Sequence, residues 1–200
     1  MAVMRAKIKS GGGDWLGIKT GTLTKVTDES AKYDWADVYL QVEFTVEGSE
    51  YPRIMKVTGS WEKNPDGTIQ DCPLLKRVTF LFDALGDMGG VNQHGEWCDQ
   101  DENKISDICK YIMENYKEAK CTIFVFRELA KNGNAYTRVH NKILKADNGS
   151  EKELEGYISF MRTKGFIKEA PADHKNGQVT TQGATSTSAM NTDGIDIANL

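Results

Sequence analysis

From Val38 to Val46 the chain alternates without a break: Val38, Leu40, Val42, Phe44 and Val46 are apolar, and Tyr39, Gln41, Glu43 and Thr45 stand between them. A period of two sets the first group on one face of a strand and the second on the other, which predicts a half-buried strand with its polar face in water. Upstream, Trp15 to Val26 mixes Leu16, Ile18, Leu23 and Val26 with Thr20, Thr22 and Thr24. This β-branched content suits an earlier strand, bent at Gly17 and Gly21. Downstream, Glu47-Gly48-Ser49-Glu50 is a turn, and Tyr51 to Trp61 returns as a third strand with Pro52 near its start. Asn64-Pro65-Asp66-Gly67 closes the stretch with strong turn chemistry.

The apolar period then lengthens to that of a helix. Leu74, Leu75, Val78, Leu81, Phe82 and Leu85 form one stripe, with Asp71 as the expected cap, Pro73 in the first turn and Gly86 as terminator. Ile105, Ile108, Cys109, Ile112, Met113 and Tyr116 mark a second helix, with Asp99 or Asp101 near its start. Strands resume at Cys121 to Leu129 and Ala135 to Leu144, and the Asn132-Gly133 pair between them is the best hairpin signal in the chain. Ser150 with Glu153 reads as a capping box opening a short helix that carries Leu154, Tyr157, Ile158 and Met161 and stops at Gly165.

This order predicts an α+β domain over residues 14–168. Three strands in a meander, two helices inserted between strands three and four, and a closing hairpin are the order of a five-stranded, OB-like Greek-key barrel, here followed by a C-terminal helix. Residues 1–13, with Arg5, Lys7 and Lys9 ahead of Gly11-Gly12-Gly13, are expected to be a flexible basic arm. Residues 169–200 are polar and poor in large apolar side chains, the composition of a disordered tail. That tail ends on an acidic-hydrophobic tip of Asp193, Ile195, Asp196, Ile197 and Leu200, a peptide suited to docking in a basic-rimmed apolar groove of a partner.

Composition narrows the setting. No apolar run approaches the roughly 20 residues that span a bilayer, and the N-terminus lacks the apolar core of a secretory signal, so a cytoplasmic protein is expected, in the host cytoplasm if it is viral. Four cysteines in such a compartment should stay reduced. The net charge is −4, from 25 basic and 29 acidic residues, so any polyanion site must be a local basic face.

Alternation on the last hairpin supplies such a face: Tyr136, Arg138, His140 and Lys142 share one side, with Lys131 and Asn132 extending the path and Arg127 on the preceding strand. Cations along a phosphate path and flat rings for stacking are what single strands require. Tyr39, Arg53, Lys56 and Trp61 on the second and third strands would continue the surface. The bland reading of the same pattern is a solvated sheet face with Phe124 and Phe126 in the core.

The segments Tyr39-Leu40-Gln41-Val42, Leu74 to Leu85, Cys121-Thr122-Ile123-Phe124-Val125 and Asn132-Gly133-Asn134-Ala135-Tyr136-Thr137-Arg138-Val139 together resemble bacteriophage single-stranded-DNA-binding proteins and related small phage early proteins. The resemblance lies in element order over residues 14–145 and implies an OB-fold that coats unwound DNA in phage DNA replication or recombination. It also implies a C-terminal tail that recruits replication or recombination proteins. The reading is therefore a non-catalytic single-stranded-DNA-binding protein with no cofactor. The sequence leaves open whether DNA or RNA is preferred, and whether the protein is a homo-oligomer.

Two other classes stand beside it. One is a protein-interaction or virion structural module. The other is a metal-dependent nuclease using Asp99, Asp101 and Glu102, although carboxylates near a helix start are also explained by capping and the helix dipole. Cys72, His94 and Cys98 offer soft metal ligands, but His94-x3-Cys98 has no second close pair such as structural zinc sites show. No phosphate-binding loop, dinucleotide fingerprint or nucleophile elbow is present.

Overall fold

The computed structural model describes residues 15–171 and His174. The arm at 1–13 lies outside the described residues, as does nearly all of the tail at 169–200, including Asp193, Ile195, Asp196, Ile197 and Leu200. The fold is α+β. In chain order it has β1 (Gly17–Asp28), β2 (Val38–Val46), β3 (Arg53–Gly59), α1 (Pro73–Leu85), β4 (Gly90–Val91), β5 (Trp97–Cys98), α2 (Ile108–Tyr116), β6 (Lys120–Leu129), β7 (Ala135–Val139), β8 (Leu144–Lys145) and α3 (Ser150–Thr163). No helix among the described residues is long and apolar enough to cross a membrane.

One antiparallel sheet holds six strands in the order β3-β2-β1-β6-β7, with β8 also paired to β6, and β4 and β5 form a separate hairpin. β1 is the hinge of this arrangement, since its first half pairs with β6 (Gly17 opposite Val125) and its second half with β2 (Asp28 opposite Leu40). Gly21 is paired on both sides, to Val46 and to Cys121. A β-carbon there would stand 2.8 Å from Ile123 Cδ1 and 3.0 Å from Phe44 Cβ, so the close approach of three strands requires glycine. The register with β2 slips between Leu23 and Lys25, a bulge at Thr24 that bends the strand. The sheet curls so that β3 and β7, its two ends, come close to each other, yet no ladder bonds join them.

The concave face holds Leu23, Leu40, Val42, Phe44, Met55, Val57, Ile123 and Val125, and α1 closes over it with Leu74, Val78, Leu81 and Phe82. Ile112 of α2 joins this core. A second cluster lies across β6, where Phe124 and Phe126 pack on Leu154 and Ile158 of α3. Residues 121 to 126 are thus buried on both faces. Helix α3 covers the side of Phe124 and Phe126, so neither side of the strand is wet over this stretch. After α3 the chain returns to β6: Leu129 N–H donates to Lys168 O and Ala170 N–H to Arg127 O, covering the edge of β6 beyond its pairing with β1.

Several local expectations shift. α1 is capped at Cys72 without a side-chain bond, and Asp71 instead faces Lys76 at 3.8 Å. Gly86 ends the helix as expected, with φ +74° and its N–H on Asp83 O. α2 starts at Ile108, because the Asp107 carboxylate, rather than Asp99 or Asp101, accepts from Lys110 N–H. α3 opens on Gly149 with Asp147 Oδ1 accepting from Ser150 N–H, and Ser150 turns inward to Thr122 Oγ1 at 2.7 Å instead of forming a capping box. The fifth predicted strand breaks after Val139: Ile143 is driven into the core, and the chain rejoins β6 only at Leu144.

Candidate nucleic-acid interface

The convex face of β2 and β3 is set by register, which puts Tyr39 opposite Thr58, Gln41 opposite Lys56 and Glu43 opposite Ile54. The connection from β1 to β2 folds against this face through a 3-10 turn at Ser30–Lys32. Asp28 Oδ1 holds the Ser30 hydroxyl at 2.5 Å, and Ser30 Oγ accepts from Tyr39 N–H at 2.8 Å. The turn delivers two rings to Tyr39. Tyr33 stacks on it at 4.2 Å and 19°, and Trp35 meets it edge-on at 6.1 Å. Trp35 remains 59% exposed. Lys56 Nζ donates to the Tyr39 hydroxyl at 2.9 Å, and that bond lowers the Tyr39 pKa below its ordinary value. Glu29, the nearby carboxylate, is bonded to Lys32 at 2.7 Å and to Gln41 at 2.5 Å.

Lys56 also lines a cleft of about 420 Å³ at the seam between β3 and β7. Its cations are Lys56, Arg77, Arg138 and Lys168, and its one carboxylate, Glu128, accepts from Arg138 Nε at 3.0 Å. Arg77 reaches in from α1 and donates from Nη1 to Thr58 O. Burial lowers its pKa, although a guanidinium remains charged at any physiological pH. His140 backs the cleft against Phe126 and Tyr157. Its burial pushes the imidazole pKa down to about 4, and its Nδ1 accepts from Lys142 N–H, which assigns the ring proton of the neutral form to Nε2. Phe166, 43% exposed, stands at the same cleft.

Of the side chains singled out from sequence, Tyr39, Lys56 and Arg138 converge on this surface, and Tyr136 lies beside it, its ring 5.8 Å from the Arg138 guanidinium. Lys131 is exposed in the β6–β7 turn. The other four sit elsewhere. Arg53 pairs with Phe44 and so lies on the opposite side of β3 from Lys56, its guanidinium 3.7 Å over the Trp15 ring and its Nε buried without a hydrogen-bond partner. Trp61 is half-buried with its indole against Gly95, where a β-carbon would come within 2.8 Å of Nε1. Arg127 shares the side of Val125 and donates to His174 O at 3.1 Å. Lys142, beyond the end of β7, is carried to the Phe80 ring at 4.6 Å.

Sequence reasoning missed Tyr33, Arg77, Phe166 and Lys168, and the tryptophan it selected was Trp61. The Tyr33-x-Trp35 pair in a polar connection just before a strong strand was a usable signal, since rings in a loop have no core to fill. Arg77 carried none, being one of several polar positions on an amphipathic helix.

A larger cleft of about 750 Å³ lies between the end of α1 and the β4–β5 hairpin. It carries Asp83, Asp87, Asp99 and Glu102 and no lysine or arginine, the wrong sign for a polyanion. Asp99 is engaged in a turn, accepting from the N–H groups of Asp101 and Asn103 and from Asn103 Nδ2. Among the described residues no three His, Cys, Asp or Glu side chains gather as metal ligands, and Cys72 and Cys98 are buried while His94 is exposed.

No family model matches the chain, and no curated protein matches it either.

Proposed function

We propose that this chain binds single-stranded nucleic acid, without catalysis of its own, along the convex face of β2–β3 and across the seam to β7. The observation that carries the reading is the continuity of rings and charge: Lys56 is bonded to the Tyr33–Trp35–Tyr39 group and also lines a cleft with four cations and one carboxylate. Bases of any sequence stack on exposed rings, and phosphates follow fixed cations, so such a surface binds with little sequence preference. We read the curled sheet as an open OB-like barrel. The order β3-β2-β1-β6-β7, with α1 between β3 and β6, supports that reading, and OB domains use the second and third strands and the first loop for oligonucleotides. The setting we propose is phage-type DNA replication or recombination.

A titration of fluorescently labelled oligothymidylate at low and high salt tests this. Saturable binding that weakens steeply with salt is expected, along with clear loss in Trp35→Ala and Lys56→Gln. Absence of binding at 20 mM salt would end the reading and favour a sheet that recognises protein.

A further inference from the structure

We infer that the seam cleft is a phosphate pocket anchored by Arg77, and that its ligand is a phosphate group carried on a nucleoside. Arg77 is the observation that leads there. It projects from a helix into the cleft, and among the described residues its guanidinium's one hydrogen bond is to a backbone carbonyl, Thr58 O, and no carboxylate pairs with it. A partly desolvated guanidinium is costly to keep without a counter-charge, and the bonded carbonyl supplies only a partial one. The guanidinium's remaining N–H groups suit two oxygens of one phosphate.

The surroundings agree in sign and in chemistry. Lys56 stands on the β3 wall, its Nζ bonded to the Tyr39 phenol and, among the described residues, in no ion pair. Arg138 stands on the β7 wall, half-neutralised by Glu128. His140 is neutral at physiological pH and offers a donor without adding charge. The volume, about 420 Å³, is at the small end of ligand pockets, and Phe166 at its rim offers a face to a base.

This inference deepens the strand-binding reading and rests on it only for the source of the phosphate. A free nucleotide and the backbone of a bound strand present the same chemistry, so the probes separate them. Thymidine 5′-monophosphate and an oligothymidylate without terminal phosphates would each be titrated calorimetrically into the full chain, with inorganic phosphate as a third probe. The monophosphate is expected to bind saturably, to compete with the oligonucleotide, and to weaken about tenfold in Arg77→Gln. Arg77→Lys, which keeps the charge and loses the fork, should fall between. Equal affinity of wild type and Arg77→Gln for the monophosphate overturns the pocket.

Should Arg77→Gln fail to fold, amide shifts in the wild-type protein decide instead. Perturbation centred on Thr58, Arg138, Asn141 and Ile167 supports the pocket, and perturbation elsewhere overturns it. Oligonucleotide binding without monophosphate binding, weakened in Arg77→Gln, assigns the pocket to the strand's backbone phosphate; the same binding unchanged in Arg77→Gln removes the pocket and leaves the strand reading standing. Monophosphate binding with no gain from a longer strand does the reverse.

Discussion

At the scale of single residues, two side chains carry most of the testable chemistry. Trp35 touches other rings but is more than half in water, so removing it should hardly alter the fold. Trp35→Ala is expected to weaken oligonucleotide binding by about 1–3 kcal/mol, the worth of one stacked base, while the denaturation midpoint stays nearly constant. Fluorescence anisotropy beside urea unfolding checks both halves of that statement. His140 makes the opposite kind of prediction. Its folded pKa of about 4 lies below the usual 6.5, so the unfolded chain binds the extra proton first as pH falls. The stability this site contributes is complete above pH 6.5 and is lost as pH drops toward 4, by up to about 3 kcal/mol. Unfolding curves between pH 7 and 4.5 should therefore be steeper in pH for wild type than for His140→Gln. Parallel curves would mean that the imidazole is already well solvated.

At the scale of elements, β1 and α3 are the members on which the rest depends. Gly21 is the point where β2 and β6 both pair with β1, and alanine there must displace Ile123 and crowd Phe44. Gly21→Ala should cost about 1–3 kcal/mol by overpacking, and Gly21→Val more; an unchanged urea midpoint would show that Ile123 rotates away freely. Ile158→Ala should cost about 2–5 kcal/mol, because Ile158 is the α3 residue, with Leu154, that covers Phe124 and Phe126. Thermal unfolding measures it directly. These elements also show what could be read in the chain. The alternation of Val38 to Val46 and the stripe Leu74 to Leu85 each announce their element, since each has one buried face and one wet one. β6 does not, because it is buried on both faces from 121 to 126 and its apolar run marks no wet side, although Phe124 and Phe126 are in the core as the bland reading had them. The break after Val139 was equally silent, because Ile143 keeps the period while the backbone leaves the ladder.

At the scale of the whole molecule, the site is made by the sheet's curl, which brings Lys56 and Arg138 to one cleft across a seam. With three to four cations there, the slope of log affinity against log salt for a single strand should be about −2 to −3, and should lose roughly 0.7 in Lys56→Gln. Titrations at four salt concentrations suffice to measure it. Strand parity alone would have separated Arg53 from Lys56, one odd and one even on the same strand, whereas the meeting of Lys56, Arg77 and Arg138 depends on tertiary closure that no local pattern encodes. The double pairing of β1 carries a further consequence for how the molecule is born. Residues 17–59 can zip into a meander through short connections, but half of β1 waits for a partner about a hundred positions later. At ribosomal speeds of about 5–20 residues per second, that wait lasts roughly 5–20 seconds. During it Phe44 and Met55 lack much of their final cover, which makes the nascent first half the stage at which chaperone capture or mispairing would decide the yield of folded protein.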